Sequence, residues 1–276
     1  REAPVVAMAD LYGTIKTSTS SETVALILKT IHPAVVWVHR SLYVGGTMRD
    51  GPTLAEWHDP MSYIRQIEGG WHGGADYYEF MNEQQFADWP VFIAFNQAVM
   101  DYAGQRGVCL LWGSFGPGNP PIDVWPKLIP LMKWVNEHPC GRNPDGSPRY
   151  HGIAWHSALY VPEAFARGEW VTPPLKLWVV ERHLLINATL KDYGFQFELY
   201  KGPIYVTELG IDNGYAGSPE AYTCDEYAQS VKLTIEEYTR LAPYITGFHL
   251  WNFGGSGIGW VNREECADEL VRWIGK

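Results

Sequence analysis

The chain lacks any apolar run of the length that a membrane-spanning helix needs, roughly 20 residues. It also lacks the basic, apolar and small-residue pattern of a signal peptide, and it begins with Arg1 rather than Met. No tract rich in Gly, Ser or Pro and no block of like charges divides it. These absences predict a globular protein without a membrane span, folded as a single domain over residues 1–276.

Positive charge is scarce, because 21 Lys and Arg face 31 Asp and Glu, for a formal net charge of −10. Nucleic-acid binding requires a clustered positive surface, so the charge balance argues against a nucleic-acid partner. The nine histidines form neither an HxH nor an HExxH pattern. The sequence therefore predicts no metal site and no other cofactor.

Cysteine is also scarce, and the spacing of the four residues matches neither a zinc motif nor a dense disulfide framework. Cys109 lies in the apolar run "VCLLWG", where we expect a buried free thiol. A bond between Cys140 and Cys224, which both lie in loop-like sequence, is the pairing that we considered. The cysteines leave the redox compartment open, and we favour a secreted or cell-surface location.

Aromatic residues are abundant, with 13 Trp, 16 Tyr and 10 Phe. One interpretation is a large core with tryptophans at its rim, which accounts for most such residues. The other is a set of stacking platforms for sugar rings, whose C–H faces pack on indole. Composition does not choose between them.

Short apolar runs alternate with longer helical patterns, which is typical of repeated βα units and a parallel sheet. The runs are almost continuously hydrophobic, as expected of strands covered on both faces. A length of 276 residues suits one α/β barrel. Seven strands are predicted where a closed barrel has eight, at 4–10, 34–40, 75–82, 108–115, 152–157, 203–210 and 245–253.

Two glutamates follow strongly apolar strands, at the ends where an α/β barrel carries its active site. Glu83 comes after Asn82 in "YYEFMNEQ", and Glu208 lies in "IYVTELG". A buried carboxylate is costly unless it is paired or hydrogen-bonded. Glycoside cleavage needs two carboxyl groups that face each other across such a site. The alternative is that either glutamate only forms an ion pair with a strand-end arginine such as Arg40.

Further polar and aromatic residues at strand ends are candidates for substrate binding. They are Asn82, Arg40, Trp155, His156, Tyr160 and Trp251.

The stretches "YYEFMNEQ", "YVTELG" and "HLWNF" resemble the fourth-, seventh- and eighth-strand signatures of the clan A retaining glycoside hydrolases, which are (β/α)8 TIM-type barrels. The similarity spans residues 34–253. It implies that Glu83 is the acid/base, that Glu208 is the nucleophile and that Trp251 lines a sugar subsite. It also implies cleavage of a β-linked oligo- or polysaccharide by double displacement.

The same resemblance implies roles for other residues. Asn82 would bond the sugar 2-hydroxyl, and His156 falls where the clan often has a His or Tyr that contacts the nucleophile or the substrate. Trp155 and Trp251 would stack on sugar rings.

The count of strands departs from the clan, because two predicted strands precede the acid instead of three. Either the first strand lies before Arg1 and is missing, or an irregular segment such as 41–48 ("SLYVGGTM") closes the wall. By this count Arg40 lies on the third strand, whereas the clan's arginine near the nucleophile comes from the second.

Two other classes of function stay open. One is a non-catalytic carbohydrate-binding or assembly protein on a degenerate barrel. The other is a different barrel enzyme, such as a metal-dependent hydrolase or an aldolase. The lack of clustered metal ligands and of a lysine at any clear strand end argues against this second class.

Overall fold

A computed structural model describes residues 14–18, 26, 29–31, 33–40, 43–44, 47–48, 51–71, 74–83, 88–116, 118–159, 182–211, 223–250 and 266–274. Its strands are β1 (Thr14–Ser18), β2 (Val36–Arg40), β3 (Tyr43–Val44), β4 (Thr47–Met48), β5 (Tyr77–Glu79), β6 (Leu110–Phe115), β7 (Gly141–Arg142), β8 (Pro148–Arg149), β9 (Gly152–Leu159), β10 (Ile204–Ile211) and β11 (Ile245–Leu250). Its α-helices are α1 (Pro60–Ile67), α2 (Trp89–Gly104), α3 (Ile129–Glu137), α4 (Arg182–Asp192), α5 (Cys224–Leu241) and α6 (Ala267–Ile274). Short 3₁₀ helices cover Glu56–His58, Glu68–Gly70, Ile122–Leu128 and Phe197–Leu199.

Seven of the strands form one parallel sheet in the order β1-β2-β5-β6-β9-β10-β11. The sheet curves until its first and last strands are adjacent, where the Thr14 hydroxyl donates to the Phe248 carbonyl at 2.7 Å. The predicted fold class is therefore confirmed as a nearly closed parallel barrel with surrounding helices. Among the described helices, none has the length and apolar character that a membrane span requires.

The first wall strand differs from the prediction. The predicted strand 4–10 lies outside the described residues, and β1 occupies Thr14–Ser18, in the stretch "TIKTS". This stretch has too many polar residues to read as a buried strand, and it is stabilised by the ion pairs of Lys16 instead. The described parts of segment 41–48, β3 and β4, pair with each other as an antiparallel hairpin and lie outside the seven-stranded wall.

Alternate residues of each strand face opposite sides of the wall. Outward-facing residues such as Trp112, Ile153 and Ile204 form a large hydrophobic core with the helices. Inward-facing residues form a smaller core inside the barrel, which includes Val38, Tyr77, Cys109, Leu111, Cys140, Ala154 and Tyr205. We name the two openings of this interior the carboxyl-end mouth and the amino-end mouth, after the strand ends that border them.

Two aspartates begin helices that connect the strands. The Asp59 carboxylate accepts the Ser62 N–H at 3.2 Å at the start of α1, and the Asp88 carboxylate accepts the Val91 N–H at 3.2 Å at the start of α2. A proline in the first turn supports each helix start.

The cysteine predictions are wrong in both respects. Cys109 is bonded to Cys140 and Cys224 to Cys266, with Cα atoms 5.2 and 4.8 Å apart. Cys109 immediately precedes β6 at the amino-end mouth, which brings it beside Cys140. Pairing depends on where the strands begin in space, and sequence spacing does not carry that information.

Candidate active site

Glu83 and Glu208 converge at the carboxyl-end mouth. Nδ1 of His156, from β9, lies 2.9 Å from Oε1 of Glu83 and 3.5 Å from Oε2 of Glu208. One carboxylate oxygen from each glutamate and a ring nitrogen of His156 lie within 4.8 Å of one another. The side chain of Glu83 is 47% exposed and that of Glu208 only 11%. One carboxyl group therefore reaches outward while the other is held in the wall.

The backbone holds Glu83 in an unusual conformation just beyond β5. Its φ is 44°, in the left-handed region, and its N–H donates to the Ser114 carbonyl at 2.9 Å. Ser114 has the same φ of 44°. A Cβ on Gly116 would lie 2.9 Å from the Glu83 carboxyl carbon, so the glycine makes room for this side chain. Conformations of this kind cost free energy and concentrate at functional sites.

An irregularity in β10 directs Glu208 into the barrel. The register between β9 and β10 shifts between Val206 and Glu208. As a result two consecutive residues reach the interior, since the Thr207 hydroxyl donates to Oε1 of Glu79 at 3.3 Å. Bulges next to active sites commonly reorient one side chain in this way.

Beneath the two glutamates lies a buried charge cluster formed by Lys16, Arg40 and Glu79. Arg40 places Nη2 2.5 Å from Oε1 of Glu79 and Nη1 2.5 Å from Oε1 of Glu208. Nζ of Lys16 lies 2.8 Å from Oε2 of Glu79 and 3.2 Å from Oε1 of Glu208. The two cations thus join a fully buried carboxylate to the candidate nucleophile.

This cluster keeps both carboxyl groups ionised. Burial would raise the pKa of Glu208, but the charges of Lys16 and Arg40 outweigh burial and hold that pKa below its ordinary value. Burial opposes ionisation of Glu79 too, and there Arg40 and Lys16 hold the pKa well below the ordinary value. Burial, reinforced by the charge of Arg40, lowers the pKa of Lys16.

The partners of His156 assign its ring proton. Nε2 lies 2.9 Å from Nη2 of Arg40, and a guanidinium can only donate, so Nε2 is the acceptor. Nδ1 then carries the proton and donates to Oε1 of Glu83. The 3.2 Å approach of Nε2 to Glu79 is consequently a contact without a proton between the atoms.

The other predicted residues fall into different environments. Arg40 forms the ion pair with Glu208 that was the alternative interpretation, but it does so inside the shared site. Asn82, half-buried, immediately precedes Glu83. Tyr160 and Trp251 lie outside the described residues.

Trp155 lies elsewhere than the sequence suggested. It is adjacent to His156 in β9 and so faces the helices, where it is 4% exposed and stacks on Trp125 with ring centroids 5.3 Å apart. A residue packed in this core presents no face to a sugar ring, and we no longer assign it to substrate.

Glu83, His156 and Glu208 are also the set within the described residues that could ligate a metal ion. The charges around the set disfavour this use, because Arg40 and Lys16 already contact the Glu208 carboxylate. A divalent cation there would be repelled by two buried positive groups.

Sequence reasoning missed Lys16 and Glu79. Glu79 gave a signal, since a carboxylate in the middle of the apolar run "DYYEFM" must be paired when buried. Lys16 gave none, because its strand was not predicted. The prediction concerned lysines at clear strand ends, whereas Lys16 lies in the middle of β1.

No family model matches the chain, and no curated protein matches it either. Several solved structures, in contrast, are similar to the chain. A family 5, subfamily 4 glycoside hydrolase in complex with a cellotriose aligns with a TM-score of 0.53 at 11% identity, over 100% of this chain and 88% of that one. A family 5, subfamily 4 broad-specificity endoglucanase from an uncultured bacterium aligns with a TM-score of 0.51 at 12% identity, over 100% and 84%.

A family 5 enzyme from Prevotella bryantii B14 in complex with a xyloglucan tetradecasaccharide aligns with a TM-score of 0.50 at 10% identity, over 99% of this chain and 86% of that one. Identities this low establish common architecture only. The chain has the barrel fold of the clan A glycoside hydrolases.

Proposed function

We propose that the protein is a retaining glycoside hydrolase that cleaves a β-linked glycan, with Glu208 as the nucleophile and Glu83 as the acid/base. The observation that carries the proposal is the convergence of the two carboxyl groups, with oxygens within 4.8 Å, around one histidine. Carboxyl groups about 5–5.5 Å apart are typical of retaining glycosidases, and wider separations of inverting ones.

The environments of the two groups match these roles. Glu208 is held ionised by Lys16 and Arg40, as a nucleophile must be. Among the described residues no lysine or arginine pairs with Glu83, and its side chain is half exposed, so it can reach a glycosidic oxygen. His156 donates to Glu83 and orients it toward the nucleophile.

In the first step the Glu208 carboxylate attacks the anomeric carbon while the glycosidic C–O bond breaks. Glu83 gives its proton to the departing oxygen, and a glycosyl ester forms on Glu208. In the second step Glu83 takes a proton from water, the water oxygen bonds to the anomeric carbon and the ester bond breaks. The two inversions leave the configuration of the product unchanged.

The structural neighbours suggest the class of glycan to test first. Two of them were solved in complex with cellotriose and with a xyloglucan tetradecasaccharide. We therefore propose a β-glucan as substrate, with Asn82, which follows β5, and Trp251, which follows β11 in the sequence, as contacts to the sugar.

Turnover should be measured with aryl β-glycosides, cello-oligosaccharides and xyloglucan, for the wild type, Glu83→Gln and Glu208→Gln. Each substitution keeps the size of the side chain and removes its acid–base or nucleophilic chemistry. We expect kcat to fall by about 10²–10⁴-fold for Glu83→Gln and at least as far for Glu208→Gln. Proton NMR of the first product should show the β-anomer.

Glu198→Gln is the matched control, because Glu198 is exposed and contacts the Asn187 amide rather than this site. It should keep wild-type turnover. Glycan binding without turnover by the wild type would show a non-catalytic binding protein instead. An α-anomer as first product would exclude double displacement.

We further propose that the protein acts in an oxidising compartment, in line with a secreted or cell-surface location. Both disulfides join residues far apart in sequence, 31 and 42 positions. Bonds of this kind persist outside the reducing cytosol.

A further inference from the structure

A cavity of about 730 Å³ opens at the amino-end mouth, at the opposite end of the barrel from Glu83 and Glu208. It is bordered by the starts of strands, with Val36, Tyr77 and Tyr205 among its lining residues. Cavities of about 300–1,000 Å³ are the usual size of small-molecule sites. The amino-end mouth of such barrels ordinarily serves stability, so a cavity of this size there calls for an explanation.

Two tyrosines form the inner part of this cavity. Tyr77 is 7% exposed and Tyr205 2%, and their ring centroids are 5.7 Å apart. Neither phenol hydroxyl has a hydrogen-bond partner among the described residues, and neither is a fully enclosed polar atom, so both are open to the cavity. Burial raises the pKa of Tyr77 to about 12 and also raises that of Tyr205, so both hydroxyls keep their protons and can donate.

Arg149 supplies positive charge on the wall of the cavity. Its guanidinium carbon lies 5.7 Å from the centroid of the Tyr77 ring, and its Nε is 3.0 Å from Sγ of Cys109. Within the described part of the chain it forms no ion pair with a carboxylate.

The acidic groups of the lining are already occupied. The Asp76 carboxylate accepts from Nζ of Lys29 at 2.6 Å and from the Trp37 N–H at 2.7 Å. The Glu198 carboxylate accepts from the Asn187 amide at 3.1 and 3.2 Å. The cavity therefore presents phenol and guanidinium donors, together with aromatic ring faces.

We propose that this cavity binds an anionic sugar, with its carboxylate or phosphate held by Arg149 and by the hydroxyls of Tyr77 and Tyr205. An anion satisfies three donors at once, and charge-assisted hydrogen bonds are the stronger kind. The ring of the sugar fills volume that an inorganic anion leaves empty. The site is separate from the carboxyl-end mouth and does not depend on its chemistry.

Isothermal titration calorimetry with glucuronate, glucose 6-phosphate and glucose tests the proposal. We expect saturable binding of at least one anionic sugar, and binding of glucose weaker by about tenfold or more. Saturation by glucuronate alone would identify a carboxylate ligand, and saturation by glucose 6-phosphate alone a phosphate ester. Absence of saturation by both, or equal binding of glucose, would overturn the proposal.

Tyr77→Phe, Tyr205→Phe and Arg149→Gln should each weaken binding of the anionic sugar by about tenfold. The two Phe variants keep the aromatic ring, and thermal melts will check that each variant folds. Arg142→Gln is the control, since Arg142 lies on the same β7–β8 hairpin but is exposed and does not line the cavity. Glu208→Gln should also bind normally. Variants of the cavity that bind like the wild type would exclude the assigned site.

Discussion

The two mouths of the barrel are built from the same strands and yet have opposite chemistry. In β5, Tyr77 lies at the amino-end mouth and Glu79, two residues later, in the buried charge cluster. In β2, Val36 borders the cavity at the amino-end mouth, and Arg40 contacts Glu208 at the other mouth. Two residues of strand correspond to about 7 Å, so the interior changes from phenolic and apolar to charged within a very short distance.

The two mouths stabilise their buried polar groups in different ways. At the carboxyl-end mouth the charges of the buried cluster are paired, because Arg40 and Lys16 each contact both Glu79 and Glu208. Removal of one member would leave the others uncompensated. At the amino-end mouth the phenols are neutral, and a disulfide between Cys109 and Cys140 joins the wall to the neighbouring loop. That end is stabilised by packing and cross-linking, and it can lose a single polar group at little cost.

The largest contrast is expected from removing one arginine at each mouth. Arg40→Met removes a cation that contacts both buried carboxylates and should lower the free energy of unfolding by about 3–5 kcal/mol. Arg149→Met removes a partly exposed group that has no carboxylate partner in the described part of the chain, and it should lower the free energy of unfolding by less than about 1 kcal/mol. Urea-induced unfolding followed by circular dichroism measures both.

Arg40→Lys is the matched control for charge, because it keeps the cation and loses the two-sided geometry of the guanidinium. We expect an intermediate loss of stability. Equal losses for Arg40→Met and Arg149→Met would show that the charge cluster does not stabilise the fold in the way described.

The fold could be predicted because its signal is local. Continuous apolar runs such as "VCLLWG" and "PIYVTELG" gave six of the seven wall strands within a few residues of their observed bounds. The strand β1 could not be recognised, because its polar residues are compensated by Arg40, Glu79 and Glu208 on other strands. Burial of a lysine depends on partners that are distant in sequence.

The candidate site was predictable for a similar reason and to a similar extent. Glu83 lies just beyond β5 and Glu208 in the second half of β10, and parallel strands bring their carboxyl ends to one mouth. The orientation of neighbouring side chains was harder to predict, as Trp155 shows, because one step along a strand reverses the face. The left-handed backbone at Glu83 and the bulge before Glu208 have no sequence signature in this chain.

Substitutions at two glycines should change activity and stability independently of each other. Gly116→Ala places a Cβ 2.9 Å from the carboxyl of Glu83, a mobile side chain that can turn away. We expect kcat to fall by about 100-fold, as for a misplaced catalytic group, while stability changes little. Gly202→Ala places a Cβ 1.9 Å from the backbone carbonyl of His151 at the amino-end mouth. It should lower the free energy of unfolding by about 1–3 kcal/mol and leave the kcat of folded protein unchanged.

Gly69→Ala is the control, because a Cβ there meets no atom within 4 Å. Activity assays and urea-induced unfolding should be run on all three variants. A loss of activity in Gly202→Ala that matches Gly116→Ala would mean that the two mouths are not independent.

Lowering the pH should reduce the free energy of unfolding through groups at both mouths, in a different pH range for each, and by less than the substitution of Arg40. Burial lowers the pKa of His151, just before β9, to about 3 from 6.5, despite its hydrogen bonds with the backbone of Met100 and Leu110. Below pH 6.5 the unfolded chain takes up a proton that the folded one refuses, so the free energy of unfolding falls as the pH falls. The slope is about 1.4 kcal/mol per pH unit, or about 2 kcal/mol between pH 6.5 and 5.

The carboxyl-end mouth responds in a lower window. The folded-state pKa of Glu79 is well below 4.5, so its contribution is present above 4.5 and is lost as the pH falls below that value. His151→Gln keeps an acceptor for the Leu110 N–H and removes the titrating ring. Urea-induced unfolding from pH 7 to 5 should therefore show a flatter profile for this variant than for the wild type. An unchanged slope would place the acid-sensitive group elsewhere and remove the distinction between the two ends of the barrel.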